Sequence, residues 1–215
     1  MIKRSILLIW IIILSPFLSL FFLVQLASFE FFGPLPSLQQ LEDPKSNLAT
    51  EIISEDGIVL GKYFFENRTK VEFDEISDNL INALIATEDI RFKNHSGIDV
   101  RALVRAILGA IKGDVSSGGA STITQQLAKM LFTEKPATGV QRVLQKLKEW
   151  VISVQLEKRY TKNEILTMYL NRFDWVNNAV GIESASKVYF NKDPIDLEIE
   201  EAAMFVGMAK NPALF

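Results

Sequence analysis

The first strong pattern in the chain is an uninterrupted apolar run, ILLIWIIILSPFLSLFFLVQLA at residues 6–27, which carries no charge and follows Lys3 and Arg4. As a helix it would be about 33 Å long, enough to cross the hydrocarbon core of a bilayer. A secretory signal has a shorter apolar region, about 7–15 residues, and no small-x-small cleavage site follows here. Pro16 is compatible with a membrane helix whose freed backbone groups find other partners. Basic residues before the run and Glu30 after it predict a cytoplasmic N-terminus and an extracytoplasmic body. The expected organisation is a cytoplasmic end at 1–5, a transmembrane anchor at 6–27, a juxtamembrane linker at 28–47 with Pro34, Pro36 and Pro44, and a folded domain at 48–215.

Within that domain the period changes once. TEIISEDGIVLGKYFFENRTKVEF (50–73) has short β-branched and aromatic runs around Asp56-Gly57, a hairpin signal. From Asp78 onward the pattern is helical, with Leu80, Leu84 and Ile85 leading into Thr87-Glu88-Asp89. A second helix is predicted from about Asp99 to Lys112, with Leu103, Ala106, Ile107 and Ala110 on one stripe and Gly113 as its stop. GDVSSGGAS (113–121) reads as a loop. A third helix starts near Thr122, a fourth runs from about Val140 to Arg159, and Thr161 to Glu164 is a capping box that opens a fifth. The last runs over roughly Ile199–Ala209, ahead of Pro212. The expected fold is mainly α, with a small β hairpin element and the N-terminal transmembrane helix.

Composition narrows the chemistry. The chain has 215 residues, a net charge of −3, no cysteine and one histidine. Bulk attraction to nucleic acid is not supported, and thiolate metal sites, disulfides and a cysteine nucleophile are excluded. A histidine-rich zinc site or a Ser-His-Asp triad is hard to assemble from His95 alone. The fragments SDN (77–79) and SASK (184–187) stand in the wrong order for a serine acyl-enzyme, with no K-T-G in the chain. The loop at 113–121 also lacks the nucleotide P-loop pattern.

Three polar clusters remain. ATEDIRFKNHSGID (86–99) gathers acids, an arginine, a phenylalanine, the histidine and a glycine just before an apolar helix. On the third helix, Ile123, Leu127, Met130 and Leu131 can bury while Gln126 and Lys129 share a polar face. On the fourth, Val140, Val143, Leu144, Leu147, Val151 and Val154 form the predicted buried stripe, and Arg142, Gln145, Lys146, Glu149 and Ser153 lie on another side. Taken singly, each has an ordinary reading as a helix end, a Gly/Ser linker or a solvated ion pair.

Taken in order, they resemble the peptidoglycan glycosyltransferase domain of class A penicillin-binding proteins and monofunctional transglycosylases. Glu88, Asp89, Phe92, His95 and Gly97 match that family's E-D-x-x-F-x-x-H-x-G segment in full. GGASTITQQLAK (118–129) matches its second run, with Ala120 inserted before Ser121. The third, R-K-x-x-E, reads Gln145-Lys146-Leu147-Lys148-Glu149, so its arginine is a glutamine here. EKRYTKNEILTMYLN (157–171), GIESASKVYF (181–190) and EEAAMFVGMAKNP (200–212) are similar to later stretches of the family. The resemblance spans about 48–215.

It implies a lysozyme-like helical fold and a polymerising reaction. The GlcNAc 4-hydroxyl of lipid II would attack the anomeric carbon of a lipid-linked glycan strand, with inversion and release of undecaprenyl pyrophosphate. Glu88 would be the general base and Glu149 the second acidic residue, near the leaving group. Asp89, Phe92, His95, Ser121, Thr122, Gln125, Gln126, Lys129, Arg142 and Lys146 would be the substrate-binding set. A carboxylate that takes the hydroxyl proton contributes typically 10²–10⁴-fold, and cations can stabilise a pyrophosphate that leaves as an anion. The resemblance implies no obligatory cofactor and leaves a divalent cation, Mg or Mn, open. Expected partners are lipid II, the glycan strand, the membrane and other cell-wall synthesis and division proteins, at the bacterial inner membrane. Two rival readings stay open, a lysozyme-like hydrolase or lytic transglycosylase and a catalytically inactive cell-wall scaffold.

Overall fold

The computed structural model describes residues 2–37, 50–54, 56, 59–63, 70–113, 119–132 and 138–211. The expected loop core at 114–118, much of the expected linker and Pro212 lie outside this set. Helix α1 (Ile2–Ser28) contains the whole predicted anchor, but the side chains of residues 2–9, 12, 13, 16 and 17 are not among those described. Among the described residues no helix is long and apolar enough to cross a membrane, so the structure does not show the expected anchor. Strands β1 (Thr50–Ile53) and β2 (Val59–Tyr63) pair antiparallel, Thr50 opposite Tyr63 and Ile52 opposite Gly61, with a register irregularity after Ile52. Gly57, on which the predicted turn rests, is outside the described residues.

The body is helical: α2 (Asp78–Glu88), α3 (Val100–Ile111), α4 (Ile123–Phe132), α5 (Gly139–Glu157), α6 (Lys162–Arg172), α7 (Ile182–Phe190) and α8 (Ile199–Lys210). Local chemistry sets several of the boundaries. Ser77 caps α2, its hydroxyl accepting from the Asn79 N–H and donating to the Leu197 carbonyl. Thr138–Gln141 and Thr161–Glu164 form the capping boxes that open α5 and α6. Gly113, at φ +72°, follows α3 in the left-handed conformation that stops a helix. The SDN fragment is thus the start of a helix. The SASK fragment lies on α7, where Ser184 and Ser186 are buried. That helix was not foreseen from periodicity.

One core organises these helices. Leu80 and Leu84 of α2, Ile123 and Leu127 of α4, Ile152 and Leu156 of α5, Ile165 and Tyr169 of α6, and Phe205 of α8 are all fully or nearly fully buried in one cluster that also holds Trp175. Each large apolar side chain contributes about 1.5–3 kcal/mol on burial. Helix α4 packs against α5 and α6, while α2 packs against α8. At ten residues α4 is too short to persist alone in water, so these contacts make it helical. A second, smaller cluster joins Ala27 at the end of α1 to Leu147 and Val151 of α5, flanked by Val24, Phe32, Leu35 and Trp150.

The predicted buried stripe of α5 needs correction, and the apolar face of α3 lies at the surface. On α5, Leu147 and Val151 are buried, but Val140 and Val143 are exposed because the first turns of that helix run clear of the core. On α3, Val100, Val104, Ile107, Leu108 and Ile111 form an apolar stripe at helical spacing that faces outward, and only Gly109 is buried. Periodicity identifies an apolar face without saying what covers it.

Candidate active site

Helix α2 ends on Glu88, and the chain turns at once. Asp89 at the C-terminal boundary adopts φ −156° and ψ 69°, and a single helical turn at Phe92–Asn94 follows. Glu88 is therefore half-buried at the close of a helix, while the next residues fold beneath it. Asp89 is buried and does two jobs. His95 Nε2 lies 3.0 Å from both of its carboxylate oxygens, which selects the Nε2–H tautomer. Its Oδ2 also accepts from the Ile123 N–H at 3.1 Å, capping the first turn of α4 from 34 residues away. Phe92 is fully buried, with its ring 6.2 Å from that of His95.

Gly97 secures the other end of the segment. Its φ is +90°, and a Cβ there would stand 2.8 Å from the carbonyl carbon of Ser153 and 2.9 Å from its oxygen. Only glycine permits that approach between the segment and α5. The Gly97 carbonyl accepts from Thr122 Oγ1 at 2.7 Å and from Gln125 Nε2 at 3.1 Å, which fills both of its lone pairs. Thr122 and Gln125 are each only 1% exposed, so as placed they brace the site from inside. Asp99 closes the segment: it caps α3 through the Ala102 N–H and forms a two-pronged pair with Arg91, whose Nε lies 2.8 Å from Oδ2. That hydrogen bond with the guanidinium holds the Asp99 carboxyl down at about 2.

The polar side of α4 meets Glu88 directly. Gln126 Nε2 donates to Glu88 Oε2 at 2.7 Å, and Tyr169 Oη of α6 donates to Gln126 Oε1 at 3.2 Å. Just ahead of α4, Ser121 Oγ accepts from Lys146 Nζ of α5 at 2.9 Å. Lys146 also pairs with Glu149 Oε2 at 3.0 Å, and Gln145 Nε2 donates to Glu149 Oε1 at 3.1 Å. Glu149 is 4% exposed, so its charge is compensated by one lysine and one amide. The glutamine that stands where the resembled pattern has arginine thus still supplies a donor to Glu149, but not a charge. Lys129 and Arg142 are exposed on α4 and α5, Arg142 one turn ahead of Lys146.

Three further residues belong to this architecture. Lys162 Nζ donates to the His95 carbonyl at 2.7 Å, pairs with Glu157 at 2.7 Å, and sits 4.2 Å from the centre of the Phe92 ring. Glu157 Oε1 accepts from Thr124 Oγ1 at 2.6 Å. With Tyr169, these residues lie in the stretch EKRYTKNEILTMYLN. Its likeness to the family was visible in the sequence, but nothing in the spacing of Glu157, Lys162 or Tyr169 tied any of them to Glu88 or His95.

Residues 56–215 match the transglycosylase family. The chain belongs to that family. It is 37% identical over 182 residues to penicillin-binding protein 1A of Pseudomonas aeruginosa, covering 84% of this chain and 22% of the relative. Against penicillin-binding protein 1A of Escherichia coli K12 the identity is 36% over 181 residues, 84% of this chain and 21% of the relative. The protein of the same name from Neisseria lactamica is 35% identical over 193 residues, 90% of this chain and 24% of the relative. The chain therefore spans between a fifth and a quarter of the length of these relatives.

Proposed function

We propose that this transglycosylase-family chain polymerises lipid II into peptidoglycan glycan strands. The Glu88 carboxylate takes the proton from the 4-hydroxyl of the acceptor sugar as that oxygen attacks the anomeric carbon of the donor. The bond from that carbon to the lipid pyrophosphate breaks with its electron pair on the departing oxygen, and the configuration inverts. The leaving group is already a stable anion, so Lys146, held between Ser121 and Glu149, supplies charge stabilisation rather than a proton. Lys129 and Arg142 extend the basic lining. No step requires a cofactor; a divalent cation, if used, would offset part of the negative charge on the pyrophosphate.

One observation carries this reading. The carboxylate of the first segment and the lysine–glutamate pair of α5 are both hydrogen-bonded to the stretch Ser121–Gln126, which brings a base and an anion-binding group to opposite ends of one short element. A lysozyme-like hydrolase has no use for the second group, because cutting a neutral glycosidic bond releases no pyrophosphate.

The reading also places the enzyme at a membrane, on the extracytoplasmic face of the bacterial inner membrane with its N-terminus inside. The uncharged run at 6–27 would anchor it, and lipid II would reach it through the bilayer. The outward stripe of α3, flanked by Arg101, Arg105 and Lys112, has the composition of a helix that lies in a lipid interface. Purified lipid II incubated with the protein, with and without the donor mimic moenomycin, tests the whole proposal. Long, moenomycin-sensitive strands are expected. Shortened fragments from preformed strands would indicate the hydrolase, and no conversion of either substrate would indicate a scaffold.

A further inference from the structure

Gln126 bonds to Glu88 through one end of a planar amide, and the two ends of an amide are chemically opposite. If the group is turned by 180°, its carbonyl oxygen faces the carboxylate and an attraction becomes a repulsion between acceptors. The carboxylate takes the N–H end, and a donor at the far end of the amide reinforces that orientation. The far end is Gln126 Oε1, and its partner is the hydroxyl of Tyr169 at 3.2 Å. Tyr169 is fully buried in α6, its ring held 5.6 Å from that of Phe173. Burial pushes the phenol well above its ordinary pKa, and the charge of Glu88 pushes it further in the same direction. The hydroxyl thus remains protonated throughout the working range of pH, and with the amide N–H turned to the carboxylate it donates to the oxygen end.

We infer that Tyr169 is a positioning residue for the Glu88 carboxylate, acting through the Gln126 amide. Its hydroxyl donates to the amide oxygen, the amide N–H donates to Glu88 Oε2, and the rotation of the carboxylate is set by a core tyrosine it never touches. Each bond polarises the next in the same direction, since loss of electron density at Oε1 makes the N–H a better donor. This assignment rests on the reading of Glu88 as the base. The hydrogen-bond relay itself has a readout that does not depend on turnover.

The test uses Tyr169→Phe, which removes the hydroxyl and keeps the ring. In ¹⁵N-labelled protein, the side-chain amide resonances of Gln126 are assigned by their disappearance in Gln126→Leu. Glu88→Gln should shift them, identifying the carboxylate as their acceptor, and Tyr169→Phe should shift the same pair upfield. In turnover, Tyr169→Phe should lower kcat about tenfold with KM within about twofold, the loss of one neutral hydrogen bond expressed in the rate. In a Gln126→Leu background the same tyrosine substitution should have no further effect on kcat, because the relay is already cut. Gln126 amide resonances that stay in place in Tyr169→Phe overturn the inference, as do kcat losses that multiply independently in the double variant. Failure of the wild-type protein to polymerise lipid II would instead overturn the proposed function, and the amide resonances would still decide the relay.

Discussion

Lys146 reaches across from α5 to the Ser121 hydroxyl, 2.9 Å away, and so ties a polar helix face to the segment that precedes α4. Its second partner, Glu149, holds the ammonium in place without spending all three of its donors. Under the proposed function, Lys146→Ala should weaken binding of the donor or of moenomycin by at least about tenfold, a charge-assisted contact being worth about 1.5–3 kcal/mol. Gln145→Arg, which restores a charge beside Glu149, should preserve or raise that affinity. Titration of both variants at fixed salt and detergent checks this. Wild-type affinity in Lys146→Ala would make the lysine only a surface partner of Glu149.

Glu88→Gln keeps the size of the side chain and a hydrogen-bonding group but cannot take a proton. Polymerisation should fall by about 10²–10⁴-fold while the melting temperature changes little. Quantified strand synthesis beside a thermal melt separates loss of chemistry from loss of fold.

Gly97 is expected to tolerate no side chain. Gly97→Ala combines a left-handed backbone with a Cβ 2.8 Å from the Ser153 backbone, at a cost of at least about 2 kcal/mol. Urea unfolding should show the loss. Activity at low temperature should also fall, because the segment that carries Glu88 must then move off α5.

Asn171 satisfies the backbone of Val71 twice, accepting from its N–H at 3.1 Å and donating to its carbonyl at 2.8 Å. Replacing it with alanine strands both of those backbone groups. A loss of about 1–3 kcal/mol is expected from chemical denaturation, with the proposed polymerisation little affected in the folded fraction.

The Arg91–Asp99 pair gives a pH signature. The carboxyl of Asp99 is held at about 2 in the folded protein, against an ordinary value of 3.8. A depressed acid stabilises the fold fully above its unfolded pKa, and that contribution disappears as pH falls towards the folded value. Between about pH 4 and pH 2 the wild-type denaturation midpoint should therefore drop more steeply than that of Asp99→Asn, which is less stable at pH 7 and keeps only the slope of the remaining carboxylates. Parallel slopes for the two proteins would show that the pair contributes nothing to acid stability.

What could be read from sequence divides along a physical line. The capping box at Thr161, the stop at Gly113 and most of the α2, α3, α5, α6 and α8 boundaries are local chemistry and legible in the sequence, whereas the box at Thr138 emerges only from the structure. The segment 88–97 and the runs beginning at Gly118 and Gln145 stand out as ordered matches to a family. Their division of labour did not, because Thr122 and Gln125 resemble ligand-binding residues until the Gly97 carbonyl is seen between them. The exposed face of α3 and the contact of Tyr169 with Gln126 were equally out of reach, since each depends on which helices pack together. Periodicity marks a face, and only the tertiary arrangement supplies its neighbour.

The cap that Asp89 places on α4 bears on the order in which this site can exist. Helix α4 gets that cap only after a chain closure of 34 residues, and the same closure brings Gln126 to Glu88. Residues 89–97 and 122–126 should therefore open and close together, sharing one free energy of local unfolding in native-state hydrogen exchange. A partly folded chain would display neither half of the site, so catalytic competence arrives in a single cooperative step.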